Sequence, residues 1–414
     1  MAGSLARASA VMASGTMVSR VLGFAKAMLL VYAIGQAPSV SGDAFANGNL
    51  LPNTLYMILL GGMLNAVLVP QIVKAAKDPD GGAGYINKVL TLVMSALTAV
   101  TVLVMLAAPA IVWIFTIEWG ADQRGLALAF AYWALPQIIF YGLYTILGEV
   151  LNARSVFGPF TWAPVLNNVI AIAGIIVFIA MYGADSTGTR TPGDWSAGAI
   201  AVLAGSATLG VILQSVVLFV SWRKAGIRFR PDFKWRGMGL GQTGRIAGWS
   251  LATIVVMQLG GIVTQNVINT ASGAGASALA MQNAWLIFML PHSVIAVSLA
   301  TAYFTRLAGW GQNGRMTEFL LDFSASARQI LLVMVLASVM IFAAAPFVSR
   351  VFNFAGNPDQ IYTFTLVLQC YMVGLAAYSF LFIVQRAFYA LSDTRTPFIF
   401  TSVQIGLLVV LSLC

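Results

Sequence analysis

Residues 89–115 read VLTLVMSALTAVTVLVMLAAPAIVWIF, an apolar run without a single charged side chain. About 20 such residues suffice for a helix to cross a bilayer, so this stretch is long enough to span. The pattern recurs on both sides of it. Apolar runs lie near 10–34, 48–73, 88–115, 125–152, 160–182, 197–221, 246–271, 276–304, 327–351, 361–390 and 398–414, which predicts eleven spans. Turn-forming residues separate them most clearly at Pro38 to Gly42, Asp78 to Gly84, Gly183 to Asp194 and Phe354 to Pro358. Of 414 residues, 59% are hydrophobic and 8% charged, against about 25% charged in a soluble domain. No water-soluble core hides that much apolar surface, so lipid is the expected solvent. The first run has no short apolar segment with a cleavage site and is expected to be retained. The last run is only just long enough to span and stops without a polar flank, as expected of a truncated chain.

Charge sets the orientation. One alternate set of loops holds seventeen Lys and Arg residues, among them Arg7, Arg154, Arg306 and Arg395, while the opposite set holds three: Arg124, Arg190 and Arg350. Cytoplasmic loops carry the excess, so the N-terminus is expected in the cytoplasm. The net charge of +9 does not point to nucleic acid, because the basic residues sit in short loops between apolar runs. The longest basic connection, 223–245, divides the chain into an N-terminal lobe of six helices (1–222) and a C-terminal lobe of five (246–414). Leu151-Asn152-Ala153-Arg154 leading to Gly158-Pro159-Phe160 is echoed by Phe388-Tyr389-Ala390-Leu391 leading to Thr396-Pro397-Phe398. Each turn opens the fifth helix of its group, which predicts parallel repeats with the second one incomplete. The fold class is therefore all-α: a polytopic membrane helix bundle of two pseudo-symmetric lobes, the second truncated.

Arg20 and Lys26 fall inside the first helix, where each charge costs roughly 2.5 to 3.5 kcal/mol near the bilayer centre. Thr16, Ser19, Arg20, Gly23 and Ala27 share a helical face, small and polar enough to border a cavity. Lys26 lies about 120° round the helix and about 9 Å along it from Arg20. Together they suit different parts of an extended anion; the competing readings are a neutralised buried charge and snorkelling to an interface. Asn49, Asn53 and Tyr56 form a stripe on the second helix, suited equally to lining a cavity and to helix packing. Gln258, Gln265 and Asn269 form a comparable stripe on the seventh. Asp43 either pairs with a basic residue of the first helix or favours the start of the second. His292 reads as a hydrogen-bonded structural residue. Two cysteines in apolar runs and one histidine give no disulfide framework or metal site. With no nucleotide-binding loop, nucleophile elbow or paired catalytic carboxylates, an enzyme, an ATP-driven pump and a cofactor are not expected.

The block Ser14-Gly15-Thr16-Met17-Val18-Ser19-Arg20-Val21-Leu22-Gly23-Phe24-Ala25-Lys26 resembles the first-helix signature of the MurJ/MviN family of lipid II flippases. Asp43-Ala44-Phe45 with Leu51-Pro52-Asn53, the run from Leu151 to Asn168, and Arg386 to Pro397 resemble further family blocks in the same order. The resemblance implies an exporter of the multidrug/oligosaccharidyl-lipid/polysaccharide superfamily, with two lobes around a central cavity and usually fourteen helices. It also implies that cavity cations engage a pyrophosphate. Arg20 matches the family's first-helix arginine and Asp43 its acidic residue at the start of the second helix, while Lys26 and Tyr56 stand where arginine is more usual. Gln282-Asn283-Ala284-Trp285-Leu286 likewise departs from a common arginine before Leu290-Pro291.

The expected function is a flippase for lipid II or a related polyprenyl-pyrophosphate glycolipid in the bacterial cytoplasmic membrane, among membrane lipids and without nucleic acid. Arg20, Lys26, Asp43, Asn49, Asn53 and Tyr56 are its candidate substrate-binding residues, and the coupling ion is left open. The alternatives are an exporter of another polyprenyl-linked glycan or of amphipathic drugs, and a non-transporting membrane scaffold. A cationic cavity favours the lipid pyrophosphate; accessible carboxylates would favour cationic drugs.

Overall fold

In the computed structural model of the chain, residues 2–58, 75, 82–154, 156, 158–224, 229–234 and 240–414 are described. Among them every regular element is helical: α1 (Ala2–Ile34), α2 (Val40–Tyr56), α3 (Ala83–Phe115), α4 (Ala121–Ala153), α5 (Gly158–Tyr182), α6 (Ala197–Arg223), α7 (Leu240–Asn269), α8 (Ala278–Gln312), α9 (Met316–Phe352), α10 (Pro358–Ala390) and α11 (Arg395–Leu413). Ten helices of the described residues are long and apolar enough to cross a membrane. The expected span near 48–73 falls on α2 and on residues 59–74, which lie outside the described residues, as do 225–228 and 235–239 of the basic connection.

Caps and polar first turns lengthen helices beyond their apolar windows. Ser39 starts α2 well before the expected boundary: its hydroxyl accepts from the Gly42 amide at 2.9 Å and donates to the Ile34 carbonyl at 2.6 Å, tying α2 back to the end of α1. Helix α9 starts at Met316 rather than near 327. Its 37 residues extend about 55 Å, so its ends overshoot the hydrocarbon core. The first turns carry Glu318, paired with Arg315, and Asp322, which accepts from Arg306 at 2.6 Å and from the Trp310 indole at 2.7 Å. Asn357 and Gln360 cap α10 reciprocally, at 2.9 and 3.1 Å. Asp393 accepts from the amides of Arg395 and Thr396 and from the Thr396 hydroxyl, and that hydroxyl above all holds its carboxyl below the ordinary aspartate value.

Side-chain packing defines two main cores. Within the α1–α6 segment, Phe45, Phe130, Trp195 and Phe178 form a chain of rings with centroids 5.1 to 5.5 Å apart, edge-to-face at Phe130 and stacked between Trp195 and Phe178. The second core joins Phe288 of α8, Met334 and Phe352 of α9, and Phe364, Leu368 and Met372 of α10. Large apolar side chains also point outward: Leu106 and Phe347 are each 76% exposed and Leu411 75%. On a helix surrounded by water such exposure would oppose folding; in hydrocarbon it carries no such penalty.

The odd-to-even turns meet at one end of the bundle. There the Asp185 amide donates to the Ala33 carbonyl at 3.1 Å, the Ile117 amide to the Asn266 side chain at 3.0 Å, and the Gln360 side chain to the Thr187 carbonyl at 3.0 Å. Arg124 and Arg190, two of the three basic residues of the sparsely charged loop set, belong to this end, called the outer end only after the orientation expected from loop charge. Gly35, at φ +72°, permits a close backbone approach: a Cβ there would lie 2.5 Å from Gly188 Cα.

Candidate functional site

Between α1, α2, α4, α5 and α8 lies a cavity of about 730 Å³. Helix α1 supplies its polar wall. Thr16, Ser19, Arg20, Gly23, Lys26 and Ala27 all border the cavity, as their spacing along one broad helical face requires. Asn168 of α5 fastens this face, donating to the Ser19 carbonyl at 2.9 Å and contacting the Ser19 hydroxyl at 3.3 Å. Gly23 packs beside it, with 3.9 Å between an imagined Cβ and Asn168 Nδ2.

Arg20 is half-buried, and its Nη1 donates to the hydroxyl of Ser293 on α8. Among the described residues no carboxylate pairs with Arg20 or Lys26. Lys26 also borders a second, smaller space of about 130 Å³, lined among others by Asn49, Gln137, Tyr141 and Asn167. Two unpaired cations within a bilayer cost roughly 5 to 7 kcal/mol on insertion scales. A net stabilisation of about 1.5 to 3 kcal/mol from one charged hydrogen bond at Arg20 does not offset that. Water in the cavity, polar groups beside Lys26 such as Asn49, Gln137 and Tyr141, or an anionic ligand can supply the remainder. The described lining residues contain two cations and no Asp or Glu.

Of the six residues expected to bind substrate, Arg20, Lys26 and Asn49 border the cavity. Asp43, Asn53 and Tyr56 are not among the residues that line it. Asp43 is fully buried and neither pairs with an α1 cation nor faces the cavity. Its carboxylate accepts from the Ser272 hydroxyl at 2.7 Å and the Leu279 amide at 3.2 Å, binding the start of α2 to the α7–α8 turn and the start of α8. Asn53, one turn beyond Asn49, is exposed. Tyr56 is buried against α4, its hydroxyl 2.7 Å from Thr145 and its ring 5.8 Å from Tyr141. A stripe at helical spacing fixes a face, whereas the cavity occupies only part of the helix length.

The α7 stripe packs. Asn269 and Asn47 exchange amide hydrogen bonds at 3.0 Å each way, Gln265 donates to Asn269 at 3.2 Å, and Gln258 donates to the Thr54 carbonyl at 3.1 Å. His292 is buried and has the hydrogen-bond partner expected of it, its Nδ1 2.9 Å from the Ser379 hydroxyl. Ser293 and Tyr144 were not singled out from the sequence. The position of Ser293 beside His292 and after Pro291 is the one local signal that marks it.

The family model described as Lipid II flippase MurJ matches residues 30–414. The probable lipid II flippase MurJ of Rhizobium tropici is 26% identical, over 97% of this chain and 74% of that protein. The lipid II flippase MurJ of Burkholderia cenocepacia is 28% identical, over 99% of this chain and 77% of its own length. Among solved structures, a lipid II flippase MurJ in an inward closed conformation superposes with a TM-score of 0.75 at 20% identity, covering 95% of this chain and 79% of that one. An inward-facing multidrug resistance MATE family transporter of the MOP superfamily gives 0.71 at 16% identity, covering 96% and 88%. Those two structures share the bundle; the family model and the sequence relatives separate this chain from the drug transporters. A multi-pass bundle, a cationic cavity facing α8 and a family match over almost the whole chain converge on one conclusion: this protein belongs to the lipid II flippase MurJ family.

Proposed function

We propose that the chain moves lipid II, or a closely related polyprenyl-pyrophosphate glycolipid, from the cytoplasmic to the outer leaflet of the bacterial cytoplasmic membrane by alternating access, with its N-terminus in the cytoplasm. The observation that carries this reading is the pair Arg20 and Lys26 on a cavity wall whose described residues include no carboxylate. Such a wall replaces the hydration of an anionic headgroup, while the polyprenyl tail stays in lipid. A cationic drug would meet two like charges and, among the described lining residues, no counter-charge, so drug export is the weaker reading.

The outer end is held shut by contacts between the two groups of helices: Asn47 with Asn269, Asp43 with Ser272 and Leu279, Ser186 with the Ala355 carbonyl at 3.1 Å, and Thr187 with Gln360. Headgroup passage requires these bonds to open while the inner side of the cavity closes. A ligand drives that exchange only as far as it binds the two arrangements differently. Arg20, facing α8 across the cavity, is placed to sense the difference. The test is replacement of an essential lipid II flippase in cells, with outer-leaflet precursor measured directly. The parent chain is expected to restore export, and Arg20→Ala to abolish it at unchanged membrane abundance. Normal export by Arg20→Ala would remove Arg20 from the cargo site.

A further inference from the structure

Helix α8 is not uniform. After Pro291 its turn widens into a π-helical turn over His292–Ala296 before α-helix resumes at Val297. Proline removes one backbone donor and disturbs the regular ladder, and single π turns inside helices recur at functional positions. This one is anchored from the side facing away from the cavity. His292 is buried, its Nδ1 2.9 Å from Ser379, and its ring meets those of Tyr378 and Phe382 edge-on at 4.8 and 5.3 Å. The next residue, Ser293, turns the other way and borders the cavity.

The Ser293 hydroxyl donates its proton to the Met289 carbonyl in its own helix, so toward Arg20 it acts as an acceptor. One N–H of Arg20 Nη1 is thereby engaged. A guanidinium carries five N–H donors in a fixed plane, and pinning one end leaves the Nε and Nη2 edge, the pair that grips two oxygens of a phosphate at once.

We infer that Ser293 is a positioning residue for cargo recognition: anchored by the π turn, it holds the Arg20 guanidinium so that its free edge is presented to a phosphate of the headgroup. The proposal rests on the reading of Arg20 as a cargo contact and adds a residue on α8 that makes this contact bidentate. It also makes the grip depend on conformation. Arg20 and Ser293 lie on opposite groups of helices, so the rearrangement that opens the outer end separates them and releases the aligned guanidinium, weakening the hold where cargo must leave.

The experiment measures binding of undecaprenyl diphosphate, with undecaprenyl monophosphate as comparison, to the full chain in lipid nanodiscs. Ser293→Ala should weaken diphosphate binding by about tenfold and monophosphate binding less, while Ser293→Thr, which keeps the hydroxyl, should bind like the parent. In an Arg20→Lys background Ser293→Ala should have no further effect, because an ammonium has no edge to orient. A purely structural role for Ser293 would instead weaken binding equally in both backgrounds and lower the thermal midpoint. Three outcomes overturn the inference: Ser293→Ala binding like the parent, an undiminished effect in the Arg20→Lys background, or Ser293→Thr failing as badly as alanine in a folded protein. Failure of the underlying reading looks different, since then Arg20→Gln would bind diphosphate as well as the parent.

Discussion

Arg20 and Lys26 share a helix and a cavity but differ in chemistry. Arg20 has a partner on α8 and a planar fork; Lys26 has no pairing partner among the described residues and presents a compact charge. Charge should therefore matter more than shape at Lys26. Lys26→Arg is expected to retain export of lipid-linked precursor and Lys26→Gln to impair it strongly, because glutamine keeps much of the length without offsetting an anion's desolvation. A glutamine variant that expresses normally and exports like the parent would return Lys26 to a structural role. The two cations were legible from their cost in a membrane, and Asn49 from its stripe. Ser293 was not, because its one local signal, a place beside His292 and after Pro291, gives it no role until another helix brings a guanidinium to it.

At the scale of elements, close crossings set the cavity's outline. Gly48 brings α2 against α4: a Cβ there would lie 2.8 Å from Phe130 Cβ, 2.9 Å from the Ala127 carbonyl and 3.0 Å from the Ala131 amide. Two of these neighbours are backbone atoms, which cannot rotate away. Gly48→Ala should therefore lower stability by about 1 to 3 kcal/mol, and Gly48→Val by more, seen as a lower thermal midpoint in detergent. Gly125 of α4 meets nothing within 4 Å, so Gly125→Ala should leave the midpoint unchanged or slightly raised. Equal effects at both positions would argue against the α2–α4 crossing. Hydropathy located these helices but misplaced several ends, since Ser39, Asn357 and the polar first turns of α9 extend helices by capping and by interfacial pairing.

For the whole molecule, alternating helices place Arg154 before α5 and Arg395 at the start of α11 on the side opposite the outer end, with Arg350 near the outer end of α9. In a chain whose exposed Cys370 and Cys414 are replaced, cysteines at Arg154 and Arg395 should react with an impermeant thiol reagent only after the cytoplasmic face is opened, and a cysteine at Arg350 before it. Labelling of Arg154 and Arg395 from opposite faces would overturn both the orientation and the parallel repeat. The same alternation gathers the outer turns where Asn47, Asp43, Ser186 and Thr187 meet their partners across the bundle. Closure at that end is a property of the assembled molecule and of no single helix.

The sequence by itself determined the membrane class, the helical architecture, the loop asymmetry and the candidacy of Arg20 and Lys26. Each follows from a local quantity: apolar length, charge placement, or the cost of a cation in hydrocarbon. Tertiary structure decided which stripes face the cavity. Asn49 and Tyr56 lie seven residues apart on one face of α2, yet the first borders the cavity and the second is buried against Tyr141 and Thr145. Asp43 carries the charge of a site residue, but the start of α8 takes its hydrogen bonds. Helical periodicity fixes the direction of a side chain about its own axis; what stands opposite it, and at what depth, depends on helices more than two hundred residues away in the chain.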